Sequence, residues 1–100
     1  ETEARAGGHD VRVATTPTAS VPRAKTLGET EGFYKLVLDA ATDQVLGAAI
    51  VGHEAGEVAT VVQMAMLGGL TWRRLRDAVI AHPTMSEGLN IVLDTLVDPA

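Results

Sequence analysis

The residues Phe33–Gly52, FYKLVLDAATDQVLGAAIVG, decide the fold class. In the first run Tyr34, Leu36 and Leu38 fall on one face and Phe33, Lys35 and Val37 on the other. A period of two is the signature of a strand. AATDQ (Ala40–Gln44) reads as a turn and VLGAAIVG (Val45–Gly52) as a second, more buried strand, so the pair forms a hairpin. Gly47 inside the second strand points to a bulge or a close neighbour.

Upstream, DVRVATT (Asp10–Thr16) alternates Val11 and Val13 against Arg12 and Ala14, a short half-buried strand. Glu1–Ala6 reads as the tail of a helix closed by Gly7-Gly8. Between these strands, Pro17–Gly32 is polar and punctuated by Pro17, Pro22, Gly28 and Gly32, a loop with one helical turn after Ser20.

Downstream the period changes. EAGEVATVVQMAML (Glu54–Leu67) carries Val58, Val61, Val62, Ala65 and Met66 at helical spacing, and Gly68-Gly69 stops it. Thr71 is placed to cap a helix WRRLRDAVI (Trp72–Ile80) with Trp72, Leu75 and Val79 as its apolar stripe. A last helix, MSEGLNIVLDTL (Met85–Leu96), carries Met85, Leu89, Leu93 and Leu96. Strands first and helices after predict an α+β fold, an antiparallel β-sheet with helices packed on one face.

The chain has 100 residues, enough for one domain with a real core. Its hydrophobic fraction of 46% argues against disorder, and the low aromatic content of 3% leaves the core to Val, Leu, Ile, Ala and Met. No apolar run reaches the roughly 18 residues of a membrane span. The net charge of −5 is the wrong sign for a surface that tracks phosphates. With no cysteine, disulfides, thiolate zinc sites and a cysteine nucleophile within these residues are excluded. There is no initiator Met and no targeting pattern, so the chain reads as cut from a longer polypeptide.

One stretch carries chemistry: AHPTMSEGLN, Ala81–Asn90. Pro83 pushes His82 out of the helical region, so the preceding helix must stop and His82 falls in an interhelical corner. Glu87 then has two readings. As part of TMSE it completes a capping box with Thr84. Alternatively it hydrogen-bonds one nitrogen of His82, favouring the protonated ring and leaving the other nitrogen for proton transfer. Spacing alone leaves both open.

Other patterns are weaker. His9, His53 and His82 lack metal-ligand spacing, and HEAGE lacks the second histidine of a metalloprotease. No Gly-rich phosphate loop is present. Arg73, Arg74 and Arg76 invite a helix-turn-helix reading, but the helix is short and the charge balance acidic, which favours a solvated basic face. A small hydrolase using His82 and Glu87 unaided would lack a nucleophile.

GFYKLVLDAATDQVLGAAIVGHEAGEV (Gly32–Val58) followed by MAMLGGLTWRRLRDAVIAHPTMSEGL (Met64–Leu89) resembles one family. It is similar to the C-terminal dimerisation domain of the FAD-dependent, class I pyridine nucleotide–disulfide oxidoreductases, such as dihydrolipoamide dehydrogenase and glutathione reductase. The Gly-Phe-x-Lys strand, the Leu-Gly of the second strand, the Ala-Gly-Glu helix start and His-Pro-Thr-x-x-Glu carry the likeness, over Val21–Leu96. The wording is nearest to the dihydrolipoamide dehydrogenase-like branch, and the ending TLVDPA disfavours branches with an extra C-terminal cysteine pair.

The resemblance implies that residues 1–100 are a single dimerisation domain of a cytoplasmic flavoenzyme, with no catalysis by this piece alone. Its partners are a second copy and the upstream FAD and NAD(P) domains of the parent. FAD and NAD(P) belong to the parent and are bound by none of these residues; no metal, membrane or nucleic acid is implied. His82 becomes the acid/base for a cysteine thiol of the partner subunit, with Glu87 its orienting carboxylate. The family's usual first strand is absent, which predicts an exposed sheet edge. The alternative is a stand-alone interaction or nucleic-acid-binding module using the Arg73/Arg74/Arg76 face.

Overall fold

A computed structural model describes residues 7–8, 10–78, 80 and 84–96. The helix end expected at Glu1–Ala6 lies outside them, as do His9, Val79, Ala81, His82, Pro83 and residues 97–100. The chain runs β1 (Val11–Pro17), a 3-10 turn (Thr18–Ser20), α1 (Pro22–Leu27), β2 (Phe33–Asp39), β3 (Val45–Val51), α2 (Ala55–Leu67), α3 (Trp72–Asp77) and α4 (Gly88–Leu93).

The expected hairpin forms and is extended by β1 into a three-stranded antiparallel sheet in the order β1-β2-β3. Its turn is built by Asp39, whose Oδ1 accepts from the amides of Ala41 (2.8 Å) and Thr42 (3.1 Å). A buried carboxylate reaching two residues ahead makes the backbone reverse there. The bulge expected at Gly47 is present: Val37 pairs with Gly47 but Leu38 with Val45, so Leu46 is the extra residue. A Cβ at Gly47 would meet nothing within 4 Å, so the bulge and not a close neighbour accounts for this stretch.

Two details of burial differ from the pattern. In β1 the buried positions are Ala14 and Thr16, whereas Val11 and Val13 are half-buried. The register decides this: Ala14 lies opposite Leu36 and Thr16 opposite Tyr34, on the face that meets the helices. Also, β3 is not the more buried strand. Of its residues only Val45 is buried, and Ala48, Ala49 and Val51 are exposed. The cause is position, because β2 is central and has neighbours on both sides, whereas β3 is an edge among the described residues. The other edge, β1, carries Pro17, which has no amide to offer a further strand.

The helices cover the Tyr34–Leu36–Leu38 face. One cluster joins those side chains to Val58, Val62 and Ala65 of α2, Trp72 and Leu75 of α3, and Leu89, Val92 and Leu93 of α4. Of the expected α2 stripe, Met66 is exposed instead. The helix predicted to reach Ile80 ends at Asp77, and Ala78 turns extended (φ −64°, ψ 143°). The last helix begins at Gly88, after bonds from Gly88 N–H to Met85 O (3.1 Å) and from Leu89 N–H to Ser86 O (3.0 Å). Three-residue spacing of this kind is the usual tightening of a helix end.

Candidate functional site

Of the two residues expected to carry chemistry, His82 lies outside the described residues. Glu87 stands immediately before α4, half-buried, with helical backbone angles (φ −65°, ψ −13°). Its amide donates to Thr84 Oγ1 at 3.3 Å. That bond is the first half of a capping box, in which a threonine hydroxyl satisfies an amide that a helix start leaves without a partner. The same bond ties the Glu87 backbone to Thr84, the residue that follows His-Pro in the sequence.

The start of α4 is fixed from below by the sheet. Tyr34 on β2 is fully buried, and its Oη donates to the carbonyl oxygen of Met85 at 2.7 Å. Burial, with the negative charge of Glu54 adding to it, pushes the phenol up to about 12, so it stays a neutral donor throughout the physiological range. Gly88 makes this approach feasible, since a Cβ there would run into the Tyr34 ring and lie 2.9 Å from Val21 Cγ2. The end of α3 is tied to α4 by Asn90. Its Nδ2 donates to the carbonyls of Leu75 (3.1 Å), Arg76 (3.0 Å) and Ala78 (3.1 Å).

The other end of α3 is held by a group that the sequence pattern did not single out. Thr71 caps the helix as expected, accepting from the Arg74 amide at 3.3 Å. Asp43, in the hairpin turn with left-handed φ (63°), does more. Its carbonyl accepts from Trp72 N–H at 2.9 Å, its Oδ1 from Trp72 Nε1 at 3.2 Å, and its Oδ2 from Arg73 Nε at 2.8 Å. The Arg73 hydrogen bond, with that from Trp72 and the charges of Arg73 and Arg12, holds the Asp43 carboxyl below its ordinary range.

The arginines themselves are engaged. The guanidinium groups of Arg73, Arg76 and Arg12 stack over the buried Trp72 ring at 4.4, 5.1 and 5.4 Å from its centroid. A guanidinium in that position is attracted by the ring's electron-rich face. Arg76 also pairs with Asp77 at 3.0 Å. Of the three arginines considered as a basic face, two are thus committed to Trp72 and to carboxylates, and Arg74 alone is classed as exposed. Among the described residues no group of three potential metal ligands comes together, and His53 of HEAGE meets Glu54 at the surface, at 3.6 Å. No helix among them is long and apolar enough to cross a membrane.

A strip of large apolar side chains remains uncovered along α2 and its exit. Met64 is 55% and Leu67 74% exposed, with Met66 and Leu70 beside them in sequence. Scattered apolar residues are common at surfaces, but consecutive turns of them mark an interaction site.

Known proteins share both the sequence and the fold. The model of the pyridine nucleotide-disulphide oxidoreductase dimerisation domain matches residues 1–92. RclA of Escherichia coli (strain K12) is 40% identical over 90% of this chain and 20% of its own length. The dihydrolipoyl dehydrogenase of Thermus scotoductus is 44% identical over 89% of this chain and 19% of that protein. A mercuric reductase of Staphylococcus aureus is 41% identical over 91% and 17%. These similar identities do not separate the branches that the sequence wording had ranked. The structure of the flavoprotein disulfide reductase RclA from Escherichia coli superimposes with a TM-score of 0.92 and 37% identity, over 97% of this chain and 22% of that one. The chain spans about a fifth of the length of these relatives. By fold and by sequence, it belongs to the dimerisation-domain family of the pyridine nucleotide-disulphide oxidoreductases.

Proposed function

We propose that this chain holds together the two subunits of an FAD-dependent, NAD(P)H-linked disulfide oxidoreductase and lends each active site an acid/base from the opposite subunit. The observation that carries the first half is the uncovered strip on α2, Met64 and Leu67 foremost, in a chain of the dimerisation-domain family. A second copy covers such a strip with the same strip, as two-fold interfaces do. Sedimentation of the 100-residue chain should show self-association that Leu67→Lys weakens at least tenfold. A wild-type chain that stays monomeric at high concentration rules out an autonomous interface.

The second half rests on the His-Pro-Thr-x-x-Glu pattern and on Glu87 standing at the helix start that follows His-Pro. This chain has no cysteine, so the thiols belong to the rest of the parent. In that parent a bound FAD would supply two-electron transfer from the reduced nicotinamide to the disulfide of a cysteine pair. The role of His82 is to move protons. When an enzyme thiolate attacks the substrate disulfide, one S–S bond breaks, a mixed disulfide forms, and the departing thiolate takes a proton from the His82 imidazolium. A second thiolate resolves the mixed disulfide and releases the other product sulfur, which is protonated in turn. Glu87 stabilises the imidazolium and orients the ring.

In the full-length enzyme His82→Gln should cut NAD(P)H-dependent reduction of lipoamide at least a hundredfold and leave flavin reduction by the nicotinamide within about twofold, as a general acid contributes roughly 10²–10⁴. An aryl disulfide such as dithionitrobenzoate, whose leaving thiolate needs no proton, should be spared. Undiminished lipoamide turnover refutes the acid/base role.

A further inference from the structure

Among the described residues all four helices join the cluster on the Tyr34–Leu36–Leu38 face of the sheet, and the opposite face is not polar. An antiparallel sheet with one solvated face carries polar residues at every second position there. Here the register sets Val13 beside Val37, Lys35 beside Ala49, and Phe33 beside Val51 on that opposite face. Phe33 is 39% and Val51 49% exposed, and Ala49 is exposed with them. Val37 is buried, yet it stands outside the cluster that joins the sheet to the helices. Thr15 and Lys35 put polar groups between these rows, while the Asp39 carboxylate is taken by the hairpin turn. Contiguous apolar surface of this kind marks a place where something docks.

We propose that this face docks the remainder of the same parent subunit, through aliphatic and aromatic side chains on the occupant. Area favours that occupant over a second copy. Three strands of seven residues, at about 3.4 Å per residue and 4.8 Å per strand, make a face of roughly 24 by 14 Å. Covering it removes about 700 Å² from water, counted on both partners. That lies within the roughly 600–1,500 Å² of contacts between domains of one chain. It falls short of the roughly 1,200–2,000 Å² that a stable pair of separate proteins buries. Closure favours it too. The strip on α2 lies on the helix side of the sheet and is the surface proposed for the second copy. A chain that met copies of itself on both sides would grow into an open array instead of closing as a pair. The chain spans about a fifth of the length of its relatives, and in a parent of that length the remainder is tethered to this face. Tethering gives docking a high effective concentration, which lets a small apolar face suffice.

This inference rests on the reading of the chain as the assembly domain of a longer enzyme, and one photocross-linking series in the full-length enzyme separates the two. The photoreactive residue p-benzoylphenylalanine replaces Phe33, where it keeps an aromatic ring. Val51 is the second site, so the test survives if one variant folds poorly. The same probe at Leu67 reads the α2 strip. From positions 33 and 51 the expected product is a cross-link within one subunit, mapped by mass spectrometry of the digest to residues beyond this 100-residue stretch. From position 67 the expected product runs at twice the subunit mass. A double-mass product from 33 or 51 gives the face to a second copy and overturns the proposal. Cross-links confined to these 100 residues, or no more frequent than from a probe at the exposed Glu29, show an open face and overturn it equally. If position 67 alone fails to give the double-mass product, the assembly reading falls and the docking surface stands.

Discussion

Gly88→Ala puts the packing under α4 to a test of sign. The added Cβ runs into the Cε2 edge of Tyr34 and lies 2.9 Å from both Tyr34 Cζ and Val21 Cγ2. Both neighbours are fully buried, and the phenol is held at 2.7 Å from the Met85 carbonyl, so neither is the loose end of a flexible chain. Overpacking of this kind costs about 1–3 kcal/mol. A ring shift that stretches the Tyr34–Met85 bond adds about 0.5–1.5 kcal/mol. Against this, alanine in a helix gains at most about 1 kcal/mol over glycine, and less at the first helical residue. The net expectation is a loss of about 1–3 kcal/mol, or roughly 5–20 °C in Tm for a chain of this size. Trp72, the single tryptophan and fully buried, reports urea and thermal unfolding by its fluorescence. Gly56→Ala is the control of opposite sign: in α2 a Cβ there meets nothing within 4 Å, and stability should rise by about 0.4–1 kcal/mol. In a Tyr34→Leu background, where the clashing ring atoms are gone, Gly88→Ala should lose most of its cost. Equal stability of wild type and Gly88→Ala refutes the packing account, and so does a cost that persists undiminished once the ring has been removed.

Asp43→Asn keeps a side chain that tolerates the left-handed backbone but removes the charge, and should cost about 0.5–1 kcal/mol at pH 7, the scale of a half-exposed ion pair. Because the folded-state pKa of Asp43 is lowered from 3.8, its contribution is present above that value and lost as pH falls through the folded pKa. The gap between wild type and Asp43→Asn in urea midpoint should therefore narrow progressively as pH falls below about 4, and a gap that stays constant through that acid range contradicts the assignment. Glu87→Gln should lower lipoamide turnover less than His82→Gln does. If it shifts only the melting temperature, the carboxylate serves the helix start and not the imidazole.

Much of the framework is legible from local pattern. The alternation through Tyr34, Leu36 and Leu38, the glycine at the bulge, the stripe of Val58, Val62 and Ala65, and the hydroxyls of Thr71 and Thr84 all act within a few residues of their partners. What sequence periodicity misreads is decided by register and by position in the sheet. Val11 and Val13 are more apolar than Ala14 and Thr16, yet pairing with β2 turns the latter inward. Ala48, Ala49 and Val51 are apolar but lie on an edge strand, which composition alone cannot indicate. Asp43 and Asn90 are harder still. Asp43 looks like an ordinary turn residue, and its partners Trp72 and Arg73 lie about thirty residues away. Asn90 finds its acceptors at the end of α3, which stops at Asp77 and lies fifteen residues or fewer upstream. A signal existed in each case, an acid within the turn and an amide among Leu89, Ile91 and Val92, but neither names its partner.

Long-range ties couple the hairpin to α3 and α4. Tyr34 belongs to β2, the strand that decides the fold, and its hydroxyl ends on Met85, two residues before Glu87. Asp43 belongs to the hairpin turn, and it grips the first residues of α3. Asn90 then joins the last residues of α3 to α4. The helices α3 and α4 are thus tied to the hairpin and to each other, through main-chain carbonyls and the Asp43 carboxylate. On that physical ground, substitutions at Tyr34 and Asn90 should lower the stability of the fold first, whereas substitutions on the exposed face of α2 should alter assembly first.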